Sequence, residues 1–234
     1  MNMENEELKY HYKYPHPSVT TDCVIFGFDG REMKILLIQR GSEPHKGKWA
    51  FPGGFLNMDE SAEQGALREL EEETGMKNAY IRQFHAFSAP DRDPRERVIT
   101  IAYYALVRIQ GVKGGDDAAD ARWFALDEIP ELAFDHEEML RTALKEMRKQ
   151  LHFEPIGRGL LPEKFTADEI ARLYECMCGC RIDGKKLCLE MKEIGLITEV
   201  DNGEYNDEDM QYCFNNEMYD ELARKNCLLD FTRF

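Results

Sequence analysis

The sequence predicts an α+β protein in two parts: a mixed sheet flanked by amphipathic helices, then a smaller unit of helices and a short hairpin. Three observations carry this. Runs rich in β-branched and aromatic residues recur between residues 18 and 126. Two stretches of the same region, 59–74 and 134–151, have the composition and apolar spacing of helices. After a Pro- and Gly-containing segment, 152–162, the order changes to helix, helix, two short strands, helix. A chain of 234 residues, 43% of them hydrophobic, is long enough for one large or two modest cores.

Residues 1–17 form a polar tail without the basic-then-apolar pattern of an export signal. No run of 18 apolar residues occurs, so a cytoplasmic protein without membrane contact is expected. Residues 18–28 and 33–39 flank Asp29-Gly30 and read as a hairpin. The Gly/Pro-rich stretch 41–54 reads as a loop. A helix from about Asp59 to Thr74 should end at Gly75, the position where a left-handed residue closes a helix. Strands are expected at 80–88, 98–109 and 121–126. The helix at 134–151 spaces Met139, Leu140, Leu144, Met147 and Leu151 along one face. These elements make a first domain, 18–151, joined by a linker, 152–162, to a second, 163–234. In the second, Thr166 and Glu169 form a capping-box pair at the start of a helix. A second helix spans 183–195. Strands at 196–200 and 210–214 flank the loop 201–209, and 217–225 is a closing helix. That is the order of a winged-helix unit.

The net charge of −15 favours solubility and repels polyanions unless cations intervene. Seven cysteines, an odd number, fit free thiols better than a disulfide scaffold. Cys176, Cys178 and Cys180 are separated by single residues, too close for the usual zinc spacing, and read as buried or helix-end thiols.

The chemistry is concentrated in "RELEEETGM", residues 68–76. Like charges this close oppose a helix. At about 100° per residue, Glu69, Glu72 and Glu73 share an arc of roughly 100°, with Ala66, Leu67 and Leu70 beginning an apolar face beside them. Glu71 points away. Converging carboxylates take up protons, pair with cations or hold a hard divalent metal. A solvated helix face is the alternative.

Gly54, Glu60 after five residues, Arg68-Glu69 after seven more, Leu70, Glu72-Glu73, Gly75 and Met76 together resemble a complete Nudix box. The resemblance implies an α/β/α sandwich with a mixed sheet and a hydrolase of nucleoside diphosphate derivatives that uses Mg2+ or Mn2+. It implies that Glu69, Glu72, Glu73 and the Gly53 carbonyl hold metal, that Arg68 orients a box carboxylate such as Glu69, and that Glu60 supports them. Arg68, Glu69 and Glu72 count as catalytic on this reading. Superfamily members often need a base outside the box. Asp116, Asp117 and Asp120 are the acids considered, with Asp117 preferred.

"APDRDPRERV" offers Arg92, Arg95 and Arg97 for phosphate oxygens, which guanidinium forks suit. Ion pairing with Asp91, Asp93 and Glu96 is the alternative. The stretch resembles a segment of Nudix proteins that act on or sense ADP-ribose, as does 121–140. Phe51, with Trp49 and Phe55, could stack a base or belong to the core. His136 reads as a structural residue at a helix start.

The C-terminal part resembles the winged-helix half of Nudix-related transcriptional regulators of NAD metabolism, which implies a homodimer. Charge opposes a simple transfer of DNA binding. Residues 153–234 hold 10 Lys and Arg against 18 Asp and Glu, and the loop 201–209 holds five acids and no base. The box is whole, whereas in such regulators it is often eroded. The sequence therefore favours a pyrophosphatase, ADP-ribose to AMP and ribose 5-phosphate, over an ADP-ribose-sensing DNA-binding regulator.

Overall fold

In a computed structural model, which describes residues 12–76, 80–109, 118–200 and 210–225, β1 (Ser18–Phe28) and β2 (Met33–Arg40) form the expected antiparallel hairpin. Asp29 accepts the Arg31 and Glu32 amides at 2.9 and 3.0 Å and so holds the turn. The stretch read as a loop contributes two further strands, β3 (Trp49–Ala50) and β4 (Gly53–Phe55), on β2 and on the start of β1. α1 (Ala62–Thr74) starts three residues later than expected. Ser61 is its N-cap, with Gln64 completing a capping box, and left-handed Gly75 closes it. β5 (Ile81–Phe87), β6 (Val98–Arg108) and β7 (Ala118–Ala125) follow, then α2 (His136–Gln150).

The seven strands form one mixed sheet. β1 and β6 run parallel over eleven residue pairs at its centre, β5 lies outside β6, and β7 covers the other edge of β2. Alternation along β1 divides the core. Val24, Phe26 and Phe28 pack with α2 residues Met139, Ala143 and Met147 on one face, and Cys23 and Ile25 with α1 residues Ala66 and Leu70 on the other. This is a helix–sheet–helix sandwich.

The segment expected as a linker is packed: Pro155, Ile156, Leu160 and Leu161 are buried. It leads to β8 (Phe165–Thr166), α3 (Ala167–Cys178), α4 (Gly184–Glu193), β9 (Ile197–Val200), β10 (Gln211–Phe214) and α5 (Asn216–Lys225). Thr166 and Glu169 cap α3 reciprocally as expected. Two helices against the three-stranded antiparallel sheet β8-β10-β9 make a winged-helix arrangement. The acidic loop 201–209 lies outside the described residues. α3 touches the first part where the Arg172 guanidinium donates to the Gly30 carbonyl at 3.2 Å and the Cys176 thiol to that of Arg31 at 3.3 Å.

Candidate active site

The parallel register places Thr20 and Asp22 of β1 opposite Thr100 and Ala102 of β6. β4 closes on the same end of β1, pairing Gly53 with Asp22 and Gly54 with Thr21. α1 then lays its glutamates over the two glycines. The glycines are required by close approach. A Cβ on Gly53 would lie 2.5 Å from Asp22 Oδ1, and one on Gly54 only 2.1 Å from Glu69 Oε1. Two carboxylates thus flank the Gly53-Gly54 backbone. The cleft above it has a volume of about 270 Å³. Asp22, Arg40, Phe55, Glu69, Glu73 and Arg95 line it, among others.

Arg68 organises the α1 carboxylates. Its Nη1 donates to Glu69 Oε1 at 2.8 Å and Glu72 Oε2 at 3.0 Å. Nε and Nη2 clasp the two oxygens of Glu60 at 3.0 and 2.7 Å, and Nη2 also reaches the Phe55 carbonyl at 3.1 Å. Asn57 N–H adds a bond to Glu60 at 2.8 Å. Hydrogen bonds from Arg68, then from Asn57, hold the Glu60 carboxyl down at about 2. The same bonds raise the Arg68 guanidinium further above its ordinary value. Burial pushes Glu69 upward, Arg68 opposes this, and the negative charges of Glu72 and Asp22 add to it. Glu73 is buried and accepts the Gly53 amide at 2.8 Å.

Residues 16–143, more than half of the chain, match the NUDIX domain. The chain belongs to the Nudix family. It is 32% identical over 193 residues to the ADPR responsive transcriptional repressor NtrR of Acinetobacter baylyi, spanning 80% of this chain and 77% of that one. It is 39% identical over 143 residues to the ADP-ribose pyrophosphatase of Methanocaldococcus jannaschii, spanning 61% and 82%. Among solved structures, Shewanella oneidensis NrtR superposes with a TM-score of 0.73 at 30% identity, covering 86% of this chain and 95% of that one. NrtR has also been solved with a 27mer DNA, and its NUDIX domain with ADP ribose.

With the Nudix box placed, the remaining expected residues can be located. Glu69, Glu73 and Gly53 line the cleft, while Arg68 and Glu72 stand beside it, Glu72 with its side chain 58% exposed. Arg92, Arg95 and Phe51 also line it. Arg92 is tied from behind: Nε and Nη2 fork onto Asp135 at 2.9 and 2.7 Å and Nη1 reaches Thr100 Oγ1 at 2.7 Å. Arg95 folds back on Asp93, at 3.0 and 2.7 Å, and its guanidinium carbon lies 5.3 Å from the Phe55 ring centre and 5.9 Å from that of Phe134. Against the cost of burial, these Arg95 bonds hold the Asp93 carboxyl below its usual range. Arg97 spends its guanidinium on the Ala89 and Val98 carbonyls. The Phe51 ring is buried and stacks on His136, 5.2 Å between centres. Asp116 and Asp117 lie outside the described residues. Asp120 bonds the Ala121 amide at 2.9 Å and pairs with Arg122.

The cleft also holds Asp22 and Arg40, neither of which is singled out by the sequence, and His136, expected as a structural residue. Arg92 donates both to Asp135 and to Thr100, and Thr100 Oγ1 donates on to Asp22 Oδ2 at 2.8 Å, so hydrogen bonds that diverge from Arg92 link Asp135 to Asp22. His136 accepts the Phe51 amide on Nδ1 at 3.0 Å, which places its proton on Nε2, 3.8 Å from Asp22 Oδ1. Burial holds the imidazole below its ordinary value and neutral, with Asp22 opposing. Arg40, 4.8 Å from the Phe134 ring centre, is lowered by burial and by Arg95.

Asp22, Glu69 and Glu73, beside Gly53-Gly54, offer carboxylate oxygens, the chemistry a hard divalent ion takes. Arg68 stands between Glu69 and Glu72, and the Gly53 amide holds one oxygen of Glu73. Among the described residues no three His, Cys, Asp or Glu side chains form a ready metal cage. The oxygen set, with the charges of Glu72 and Asp22 crowding Glu69, nevertheless fits a bound cation. No helix among the described residues is long and apolar enough to cross a membrane.

Proposed function

We propose that this Nudix hydrolase cleaves the pyrophosphate of a nucleoside diphosphate derivative, ADP-ribose first, to AMP and ribose 5-phosphate. The observation that carries the reading is the whole carboxylate set, with Glu69 and Glu73 turned into the cleft and Arg68 clamped by Glu60. Glu69, Glu72 and Glu73, with the Gly53 carbonyl, are the groups that would hold Mg2+ or Mn2+. Such an ion neutralises pyrophosphate oxygens and lowers the pKa of a water. Arg68 fixes the directions of Glu69 and Glu72, and Glu60 keeps Arg68 in place. Arg95, partly exposed over Phe55, is the arginine best placed to meet phosphate or a base. Arg92 supports the cleft wall through Asp135 and Thr100. Asp22, at the end of that chain, presents a further carboxylate to the substrate. Asp117 is the base proposed outside the box. A homodimer, implied by the resemblance, and the expected cytoplasmic location belong to this proposal, and sedimentation tests the first.

The purified chain, incubated with ADP-ribose and Mg2+, should release AMP far above a Glu73→Gln control. Equal AMP from both would remove the enzymatic reading.

One observation favours a second reading. Similarity to an ADPR responsive repressor spans 80% of the chain, more than the NUDIX domain at residues 16–143 accounts for. On this reading the protein binds an operator and ADP-ribose releases it. The charge of that part disfavours it, and Lys192 of α4 is paired with Glu199 at 2.5 Å. A mobility-shift titration of the protein's own promoter region at low salt decides: a shift reversed by ADP-ribose supports the regulator, and no shift removes it.

A further inference from the structure

The Nudix chemistry leaves one sequence feature unused, the three cysteines of "CMCGC" at the end of α3. The structure separates them into two kinds. Cys176 is engaged, its thiol donating to the Arg31 carbonyl at 3.3 Å. Cys178 is the last residue of the helix, and the chain then reverses at Gly179, which adopts a left-handed φ of 75° and returns its amide to the Glu175 carbonyl at 2.8 Å. That turn folds Cys180 back over Cys178. The two sulfurs lie 2.9 Å apart, and the Cys178 thiol also points at the Cys180 carbonyl at 3.6 Å. Two unbonded sulfurs are normally held farther apart than this by their radii. The Ile182 amide, bonded to the Glu175 carboxylate at 3.0 Å, pins the chain just beyond the pair. Cys180 is exposed and Cys178 half-buried, so a soluble reagent meets one sulfur first and the other lies directly behind it.

We propose that Cys178 and Cys180 are a redox-active dithiol, a modification site that closes to an intrachain disulfide by exchange with a low-molecular-weight disulfide such as oxidised glutathione. The Cys180 thiolate attacks one sulfur of the reagent, which stays on Cys180 as a mixed disulfide, while the reagent's S–S bond breaks and its other sulfur leaves and is protonated to one equivalent of thiol. The Cys178 thiolate then attacks the Cys180 sulfur and releases the second equivalent. The protein loses two protons and two electrons, and the reagent is reduced to two thiols. Burial, with the neighbouring Cys180, holds the Cys178 thiol at about 11, which assigns the first attack to the exposed partner. Two thiols fall short of the four ligands of a structural zinc site. The bridge spans only the helix cap and ties no second element, so the overall fold should accept both states.

The test uses the full-length chain. After exposure to oxidised glutathione at neutral pH and alkylation of remaining thiols, trypsin releases residues 173–181, cut after Arg172 and Arg181, with all three cysteines on one peptide. The expected product is two hydrogens lighter than the reduced peptide, apart from one alkyl group on Cys176. Cys178→Ser should instead accumulate one glutathione on Cys180, and Cys176→Ser should still form the bridge. A stable glutathione adduct on the unmutated protein, a bridge lost in Cys176→Ser, or three alkylatable thiols after oxidation would each overturn the assignment. None of these outcomes depends on hydrolysis, so the reading of the Nudix site stands or falls separately.

Discussion

Replacing Asp135 by Asn tests whether the back wall of the cleft is a structural ion pair. The Arg92 side chain is 4% exposed and that of Asp135 19%, so water offers little substitute when the pair is broken. Removing one charge from a buried pair costs about 3–5 kcal/mol, because the partner is left uncompensated. Asn keeps one acceptor for Arg92, which puts the expected loss near the low end, about 3 kcal/mol. For a chain of this size that lowers Tm by roughly 6–12 °C. Asp135 occupies the N-cap of α2 but makes no side-chain cap bond, so the loss cannot be assigned to capping. Urea and thermal unfolding of the wild type, Asp135→Asn, Thr100→Val and the double variant supply the measurement. Since Arg92 bonds both Asp135 and Thr100, the two single losses should couple by about 0.5–3 kcal/mol. A Tm shift below about 2 °C with additive losses would refute the reasoning.

Three further outcomes follow from the same geometry. Gly54→Ala drives a Cβ into the Glu69 carboxylate, a flexible end that can swing away, so stability should change little. Hydrolysis should fall about a hundredfold from the misplaced group, and an unchanged rate would contradict the close approach. Arg95→Ala should raise KM about tenfold for the loss of one charged contact, while Arg97→Ala, bonded to backbone carbonyls, should leave it unchanged; equal effects would remove the distinction. His136 is buried and its folded pKa is depressed, so below about 6.5 the unfolded chain binds a proton that the folded chain refuses. Stability should therefore decline as pH falls below that value, by up to about 1.4 kcal/mol per pH unit. The decline should shrink in His136→Gln, and an identical slope in urea titrations at pH 7 and pH 5 would exclude the assignment.

The local features were legible. The hairpin at Asp29-Gly30, the closing Gly75 and the Thr166–Glu169 box all rest on residues a few positions apart, where side-chain chemistry alone decides the backbone. The start of α1 was misplaced although its signal was present: Ser61 and Gln64 have the capping-box spacing that identified α3. β3 and β4 escaped because strands of two and three residues show no period. The wall of the cleft was out of reach for another reason. Thr100 bonds Asp22 across 78 positions and Arg92 bonds Asp135 across 43, and only the sheet register brings such residues together. Arg92 could be recognised as an anion partner from its type, but not that Asp135 would be the anion.

The parallel pairing of β1 with β6 also governs when the molecule can fold. Each pair joins residues 80 positions apart, as Ser18 to Val98 and Phe28 to Arg108. Such contacts become favourable only after a long stretch of chain has been closed into a loop, which makes them slow. The hairpin and the acidic helix can form early from neighbouring residues, but the floor that carries Asp22 and Thr100 must wait for β6. During synthesis the cleft therefore stays open until β6 has emerged. Only when residue 108 has cleared the ribosome can the central register lock and the two halves of the site meet.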